Sequence, residues 1–592
     1  MKPLRGYQAL FDAAPIHPQV QRITGRGGQI TLQAGEVLLH SKYDPVREAE
    51  RFVQDAALDK DRPVLVVGLG YGYHVAVLRE LGFDVAVLEP NTTVARFALD
   101  GPLKDSDVDI ALGAIDEIAA DPDFQAFAQK QPQILIHPPT ARVDPDFATA
   151  AQGAVGKAAL SGKHLRIAVV GPMYGGSLPI AAYLCDAFNR LGHRTILVDN
   201  SAGWELYESM MRSVVNRHAS NQLGNLQSNV LSEWTYARVA EFNPEICIVM
   251  AQAPVSASFP ERLRKKGIVT AFWYVENWRH LPYWKEIAPL YDFFFHIQPG
   301  EFEAQLSAAG CRHHAFVQTA CDPARHRPVE LSSKEAPDYA CDLSFAGAGY
   351  YNRVNLFKGL GDYKFKIWGV GWNDRLLDKH WMEGEKRFDS EVFMKIVAGS
   401  KINLNLHSST SHDGVDSGCD AVNPRVFEIA AAGGFQLCDP CIGLEKLFDF
   451  DTELPVYHDL KSLRAQIDHY LAHPEERKRI AAAAQQRALR EHTYECRAAE
   501  MLDHILEHYG AALLKRGIRA QYTLAETIER VGADSDLGKW LSTLPGELLF
   551  THDTMRAFLR SAGEDLYPAE QIFKYMTEVR SFAETLLANR ET

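Results

Sequence analysis

The chain has 592 residues, too many for one ordinary hydrophobic core, so roughly two to four domains are expected. Its formal charge of -14 excludes a general nucleic-acid binder, which needs a basic face. Apolar residues reach the level of a globular protein, yet no apolar run is long enough to span a bilayer. The opening MKPLRGYQALFDAAP lacks the apolar stretch of a signal peptide, and the cysteines are scattered, so a reduced, cytoplasmic setting is expected. Cys438 and Cys441 form a lone CxxC with no second pair and no nearby histidines in the sequence, so it is not read as a zinc or redox motif.

The first module is expected over 1–158. A small hairpin (Gln29–Leu32 with Glu36–Leu39) and a helix over Asp44–Asp59 precede the apolar strand Pro63–Val67. Gly68, Gly70 and Gly72 follow, then a helix, then the strand Val85–Leu88 ending at Glu89. Strand, glycine turn, helix, strand and acid form the nucleotide-binding half of a Rossmann-type sheet. The glycines would let a ligand approach the backbone, and Glu89 would bind ribose hydroxyls.

The second module, 159–335, begins again with a strand at Leu165–Val170 and a turn containing Tyr174, Gly175, Gly176 and Ser177. A helix over Leu178–Leu191 follows, capped by Gly192. Strands expected at Ile246–Met250, Val269–Trp273, Phe293–Ile297 and Phe316–Val317 alternate with helices, which predicts a parallel sheet covered on both faces. Ligands bind such sheets beyond the carboxyl ends of the strands. There stand Tyr174, Ser177, Gln252, Glu276, Asn277 and His280, beside the aromatic run Phe272–Trp278. That run suits either a sugar platform or plain core packing.

The third module, 336–508, has a strand at Asp342–Ala346, a turn with Gly347 and Gly349, and Arg353 at the start of a helix. The alternating strand Lys401–His407 leads into a long Ser-, Gly- and Asp-rich loop over Ser408–Val422, of a length that usually signals function or disorder. In DAVNPRVFEIAAAGGFQLCDP (Asp420–Pro440), Asn423 is the expected N-cap and Pro424 the first helical residue. Arg425 and Glu428 fall on one helix face, and the free N–H groups at the helix start would accept an anion. The alternative is an ordinary ion pair between them. A helical tail is expected over 509–592, with turns at Gly517, Gly532, Pro545–Gly546 and Ser561–Gly563.

Three resemblances add to this. The first glycine turn with its acid resembles class I S-adenosylmethionine-dependent methyltransferases, although no catalytic motif follows, and that implies a bifunctional enzyme as one alternative. LLHSKYDPVREAERFV (Leu38–Val53) with VLVVGLGYGYHVAVL (Val64–Leu78) is similar to the N-terminal module of motility-accessory-factor flagellin glycosyltransferases. NPRVFEIAAAGGFQLCDP, GLEKLF (Gly443–Phe448), HPEERKRIA (His473–Ala481) and HTYECR (His492–Arg497) look like CgeB-type glycosyltransferases, as do the upstream VENW and CDLSFAGAGYYNR, over about 165–505.

The last resemblance implies a GT-B fold, two Rossmann-like domains facing a cleft, and a nucleotide-sugar donor carrying UDP, GDP, dTDP or CMP. It implies that Gly347, Gly349, Arg353, Lys358, Asp420, Asn423, Arg425 and Glu428 form the donor site. Retaining members carry an E-x7-E signature; here Glu428 fits the second slot, while Asp420 takes the first with a changed residue type. Without a DxD-type acid pair, metal independence is expected. Glu276 or His280 would serve as base if the anomeric centre is inverted, and the acceptor would be a protein such as flagellin. A non-catalytic nucleotide- or sugar-binding scaffold is the remaining alternative.

Overall fold

The computed structural model describes residues 1–588 apart from 105, 162, 383, 385–387, 517–521, 547, 549, 551 and 561–563. It divides into two compact units, Met1–Arg516 and Gly517–Thr592. The turns expected at Gly517 and Ser561–Gly563 lie outside the described residues.

The first unit holds three sheets of Rossmann type. The N-terminal one runs in the order Lys2–Pro3, Asp109–Leu112, Val85–Glu89, Val64–Val67, Gln133–Ile136, parallel except at the short first strand. A separate antiparallel sheet joins Val20–Thr24, Ile30–Ala34 and Val37–Leu38, so the expected hairpin gains a third strand. Helix Pro45–Asp55 is capped by the Asp44 carboxylate, which accepts from the Arg47 N–H, and it ends before the expected Asp59.

The second sheet is six-stranded and wholly parallel: Arg194–Val198, Arg166–Val170, Ile246–Met250, Val269–Tyr274, Phe293–His296, His314–Phe316. Its central strands are fully buried, which explains why they read as unbroken apolar runs. Arg166 and Glu245 form a buried ion pair at 2.8 Å at the start of two neighbouring strands. The third sheet is parallel in the order Phe365–Trp368, Cys341–Ala346, Ser400–Asn405, Gln436–Cys438.

Helix Tyr494–Arg516 runs on past residue 508, so the expected boundary there falls inside a helix. It lies along helix Pro145–Leu160 of the N-terminal module. A Cβ at Gly153 would stand 2.4 Å from the Glu507 carbonyl, and one at Gly156 would stand 2.6 Å from the Gly510 Cα. Small residues there let the two backbones touch.

The second unit contains helices Leu524–Val531, Asp536–Leu541, His552–Ala557 and Pro568–Ala588 around Leu524, Trp540, Leu541 and Met555. Glu570 is fully buried and accepts from the Arg560 Nε at 3.0 Å. Among the described residues, no helix is long and apolar enough to cross a membrane.

Candidate active site in the cleft

Two adjoining cavities, about 560 and 500 Å³, lie between the carboxyl ends of the six-stranded and four-stranded sheets. They share Gly176, Ile180, Tyr350 and Pro424, so both sheets contribute to one cleft of ligand size. A smaller recess of about 130 Å³ opens behind it, lined by Gly347, Arg353, Asn405, Asn423 and Arg425.

Arg353 sits in helix Tyr351–Phe357, and only 9% of it is exposed. Its Nε donates to the Leu406 carbonyl at 2.9 Å and its Nη1 to the Ala348 carbonyl at 3.0 Å. No carboxylate lies within ion-pair distance of it among the described residues, and burial pulls its guanidinium down to about 10. Arg425 stacks over the Phe393 ring at 3.9 Å and pairs with Glu428 at 2.6 Å. The expected ion pair therefore exists, and it lines the cleft wall. Glu428 is 5% exposed, with His326 Nε2 at 3.8 Å from its second oxygen.

Asn423 does not cap its helix. Its Nδ2 donates to the Asn405 Oδ1 at 2.9 Å, which leaves the Asn423 Oδ1 and the Asn405 Nδ2 buried and unpartnered. Helix Arg425–Ala431 has only seven residues, and its N–H groups at Val426, Phe427 and Glu428 already bond the carbonyls of Asn423 and Pro424. The anion site expected at this helix start is therefore closed. Helix Ser177–Arg190 also begins at the cleft, with Gly175, Gly176 and Ser177 among the lining residues. The Ser177 hydroxyl is buried there without a partner among the described residues. Tyr174 turns aside, packing against Trp204 with ring centroids 3.9 Å apart and lining a separate cavity of about 620 Å³ that meets the cleft at Leu281.

Two other expected donor residues point elsewhere. Lys358 pairs with Asp374 at 2.8 Å and with the Asn355 amide at 3.3 Å, because its helix turns away into a 3-10 segment. Asp420 accepts from Arg279 at 2.6 Å and Gln298 at 2.5 Å, so it bridges the two sheet domains rather than presenting free oxygens. Gly347 lines the cleft, but Gly349 serves a different purpose. A Cβ there would stand 2.4 Å from the Gly371 carbonyl, and its N–H already bonds Val370. Two glycine turns meet back to back, and that contact demands small residues.

Glu276 and His280 both line the cleft. Glu276 is half-buried and accepts no hydrogen bond from a described residue, and burial pushes its carboxyl up to about 7. His280 is exposed at the rim. The aromatic run around them is core: Trp273 is fully buried with its Nε1 on the Val317 carbonyl, and Trp278 stacks on Phe302.

Sequence reasoning passed over His407 and Asp439. They lie just beyond the ends of neighbouring parallel strands, and the Asp439 Oδ1 lies 2.7 Å from the His407 Nδ1 and 2.9 Å from its backbone N–H. The available signal was a histidine and an aspartate, each just beyond an apolar strand of one Rossmann unit. The long loop after His407 is ordered by Asn352, whose amide donates to the carbonyls of His407 and Gly414 and accepts from the Ser409 N–H.

The N-terminal glycine turn is not open in the way expected. A Cβ at Gly68 would lie 2.4 Å from Thr140, one at Gly70 would lie 2.6 Å from the His40 Nε2, and one at Gly72 would lie 2.8 Å from Leu103. Glu89 is 2% exposed and accepts from the backbone N–H groups of Leu69 at 2.7 Å and Asn91 at 2.9 Å, inside its own chain. Burial outweighs those two bonds and raises its carboxyl to about 7. His40, His74 and His137 gather over the turn, with His74 stacked on His137 at 4.5 Å. His137 bonds the Thr140 hydroxyl, while the His40 Nε2 and the His74 Nδ1 are buried with no partner among the described residues.

A six-stranded and a four-stranded parallel sheet facing one cleft constitute the GT-B arrangement, here with an added N-terminal Rossmann-like sheet and a C-terminal helical unit. Residues 353–503 match the family model described as glycosyl transferase-like. The chain is 23% identical to the spore protein CgeB of Bacillus subtilis over 257 residues, which is 42% of this chain and 78% of that protein. It thus resembles a CgeB-type glycosyltransferase of GT-B fold. Among solved structures, a sucrose-phosphate synthase from Thermosynechococcus elongatus is 11% identical, with a TM-score of 0.40 over 57% of this chain and 97% of its own. A glycosyltransferase from Rickettsia africae is 13% identical, with a TM-score of 0.40 over 58% and 97%.

Proposed function

We propose that the chain transfers a sugar from a nucleotide-sugar donor to an acceptor, with the donor held in the cleft. The observation that carries this reading is Arg353, a buried guanidinium bonded to carbonyls and lying over the Phe345 and Tyr350 rings, with no carboxylate paired to it among the described residues. A buried cation without a counter-ion is costly, and a diphosphate would supply both charge and acceptor oxygens. Arg425, the unpartnered amide atoms of Asn405 and Asn423, and the Ser177 hydroxyl complete the polar lining. Glu428, oriented by Arg425, is assigned to ribose or sugar hydroxyls.

As the sugar–phosphate bond breaks, negative charge grows on the leaving diphosphate. Arg353 and Arg425 stabilise it from fixed positions, and no divalent ion is assigned to that step. For an inverting transfer the base is Glu276, which can take the proton of an acceptor hydroxyl with a carboxyl already raised to about 7. The cavity of about 620 Å³ beside Tyr174 is assigned to the acceptor. A protein acceptor such as flagellin is proposed from the resemblance of 38–78.

The test is a thermal-shift panel with UDP, GDP, dTDP and CMP. One nucleotide is expected to raise the melting temperature, and Arg353→Ala, Arg425→Ala and Glu428→Ala are expected to shrink that rise in proteins that still fold. No shift with any nucleotide in the unmodified chain would sink the donor-site assignment.

A further inference from the structure

His407 is 2% exposed, yet its Nε2 has no partner among the described residues. Its other nitrogen is held by Asp439, so the ring orientation is fixed. A buried polar nitrogen left unsatisfied calls for a partner. Close by are Cys419, from the long loop, and Cys441, just after strand Gln436–Cys438. Their sulfurs are 3.3 Å apart, and the Ile442 N–H bonds the Cys419 carbonyl at 2.8 Å, which holds the two segments together. A ring nitrogen of His407 and both sulfurs lie within 4.8 Å of one another.

We propose that His407 Nε2, Cys419 Sγ and Cys441 Sγ form a zinc site, with Asp439 as the carboxylate that orients the imidazole. Two thiolates and an imidazole are a soft donor set that favours zinc over the hard magnesium or manganese ions that accompany diphosphates. Zinc bonds to sulfur of about 2.3 Å imply a sulfur separation near 3.8 Å across a tetrahedron. The observed 3.3 Å is nearer to that than to a disulfide of about 2.05 Å. On binding, each thiol gives its proton to solvent, and Zn²⁺ with two thiolates and a neutral imidazole is electrically balanced.

Three protein ligands leave one position free. His407 and Cys419 both line the cleft cavity of about 500 Å³, so the site adjoins the cleft. The ion would pin the loop Ser408–Val422 to the ends of strands Ser400–Asn405 and Gln436–Cys438. The CxxC alone carried no such reading, because its histidine lies more than thirty positions away in sequence and reaches it only through strand pairing.

The experiment uses the full chain, purified without chelator. Elemental analysis is expected to find close to one zinc per chain. After stripping, cobalt is expected to restore one equivalent and to show a thiolate-to-cobalt charge-transfer band. Cys441→Ser and Cys419→Ser are expected to abolish that band, Asp439→Asn to weaken zinc affinity by about 10- to 100-fold, and Cys496→Ser to leave both unchanged. Circular dichroism checks that each variant is folded. Absence of the band in the cobalt-treated chain, its survival in folded Cys441→Ser, or a Cys419–Cys441 disulfide in the purified protein would each overturn the site. These readouts do not depend on nucleotide binding, so they fail or succeed apart from the transferase reading.

Discussion

Two glycine turns in this chain have nearly the same sequence logic and opposite fates. After strand Val64–Val67, Gly68, Gly70 and Gly72 are roofed by Thr140, His40, His137 and Leu103. After strand Arg166–Val170, Gly176 faces open space, and Gly175 meets nothing closer than a glutamine oxygen at 3.5 Å. The first turn uses glycine to let its own side chains close in. The second uses it to leave room. A glycine-rich turn therefore announces a close approach to the backbone, and whether the visitor is a ligand or the protein itself depends on what folds over it.

The largest effect expected on the open side is at Glu276. Glu276→Gln should lower the transfer rate by about 10²- to 10⁴-fold with little change in donor binding, as measured by steady-state kinetics and thermal shift. A loss under about tenfold would remove Glu276 from the role of base.

On the closed side, Gly68→Ala should destabilise the first unit by about 1 to 3 kcal/mol, since it meets Thr140 and takes a positive φ of 95°. Gly176→Ala, with nothing near and φ of -70°, should change stability by less than about 0.5 kcal/mol. Denaturant unfolding of the two variants gives the contrast; equal costs would erase the distinction between the turns. The same comparison predicts that calorimetry finds no S-adenosylmethionine binding at the closed turn.

The smallest and most diffuse effect is on pH dependence. Glu89 and Glu276 are both raised from an ordinary value of 4.5 to about 7 in the folded chain. Between those values the unfolded chain ionises them while the folded chain keeps them protonated. Their contribution therefore favours folding below about pH 4.5 and is lost as pH rises toward 7. Melting temperature should fall across that window, and Glu89→Gln should flatten the fall. A slope unchanged by that substitution would show that Glu89 does not keep its proton on folding.

Much of the fold was legible because its signals are local. Apolar runs such as Ile246–Met250 and Val269–Tyr274 are buried strands of a parallel sheet, and they read as such without any partner in view. Pairing at a distance was not legible. Lys358 was implied as a donor-site residue by the family resemblance, but Asp374 claims it. Asp420 had the spacing of a sugar contact, but Arg279, 141 residues earlier, takes its oxygen. Asn423 had the type and place of a cap, yet the neighbouring strand end offered Asn405 instead.

By itself, then, the sequence determined the repeated unit of strand, glycine turn and helix, and with it the three Rossmann-type sheets. Those features follow from backbone sterics and from side-chain periodicity within a few residues. Only the tertiary structure decided which turn stays open, which arginine is left without a counter-ion, and which histidine finds an aspartate beside it. Each of those outcomes depends on how strand order in a parallel sheet brings together residues far apart in the chain, and no local pattern encodes that distance.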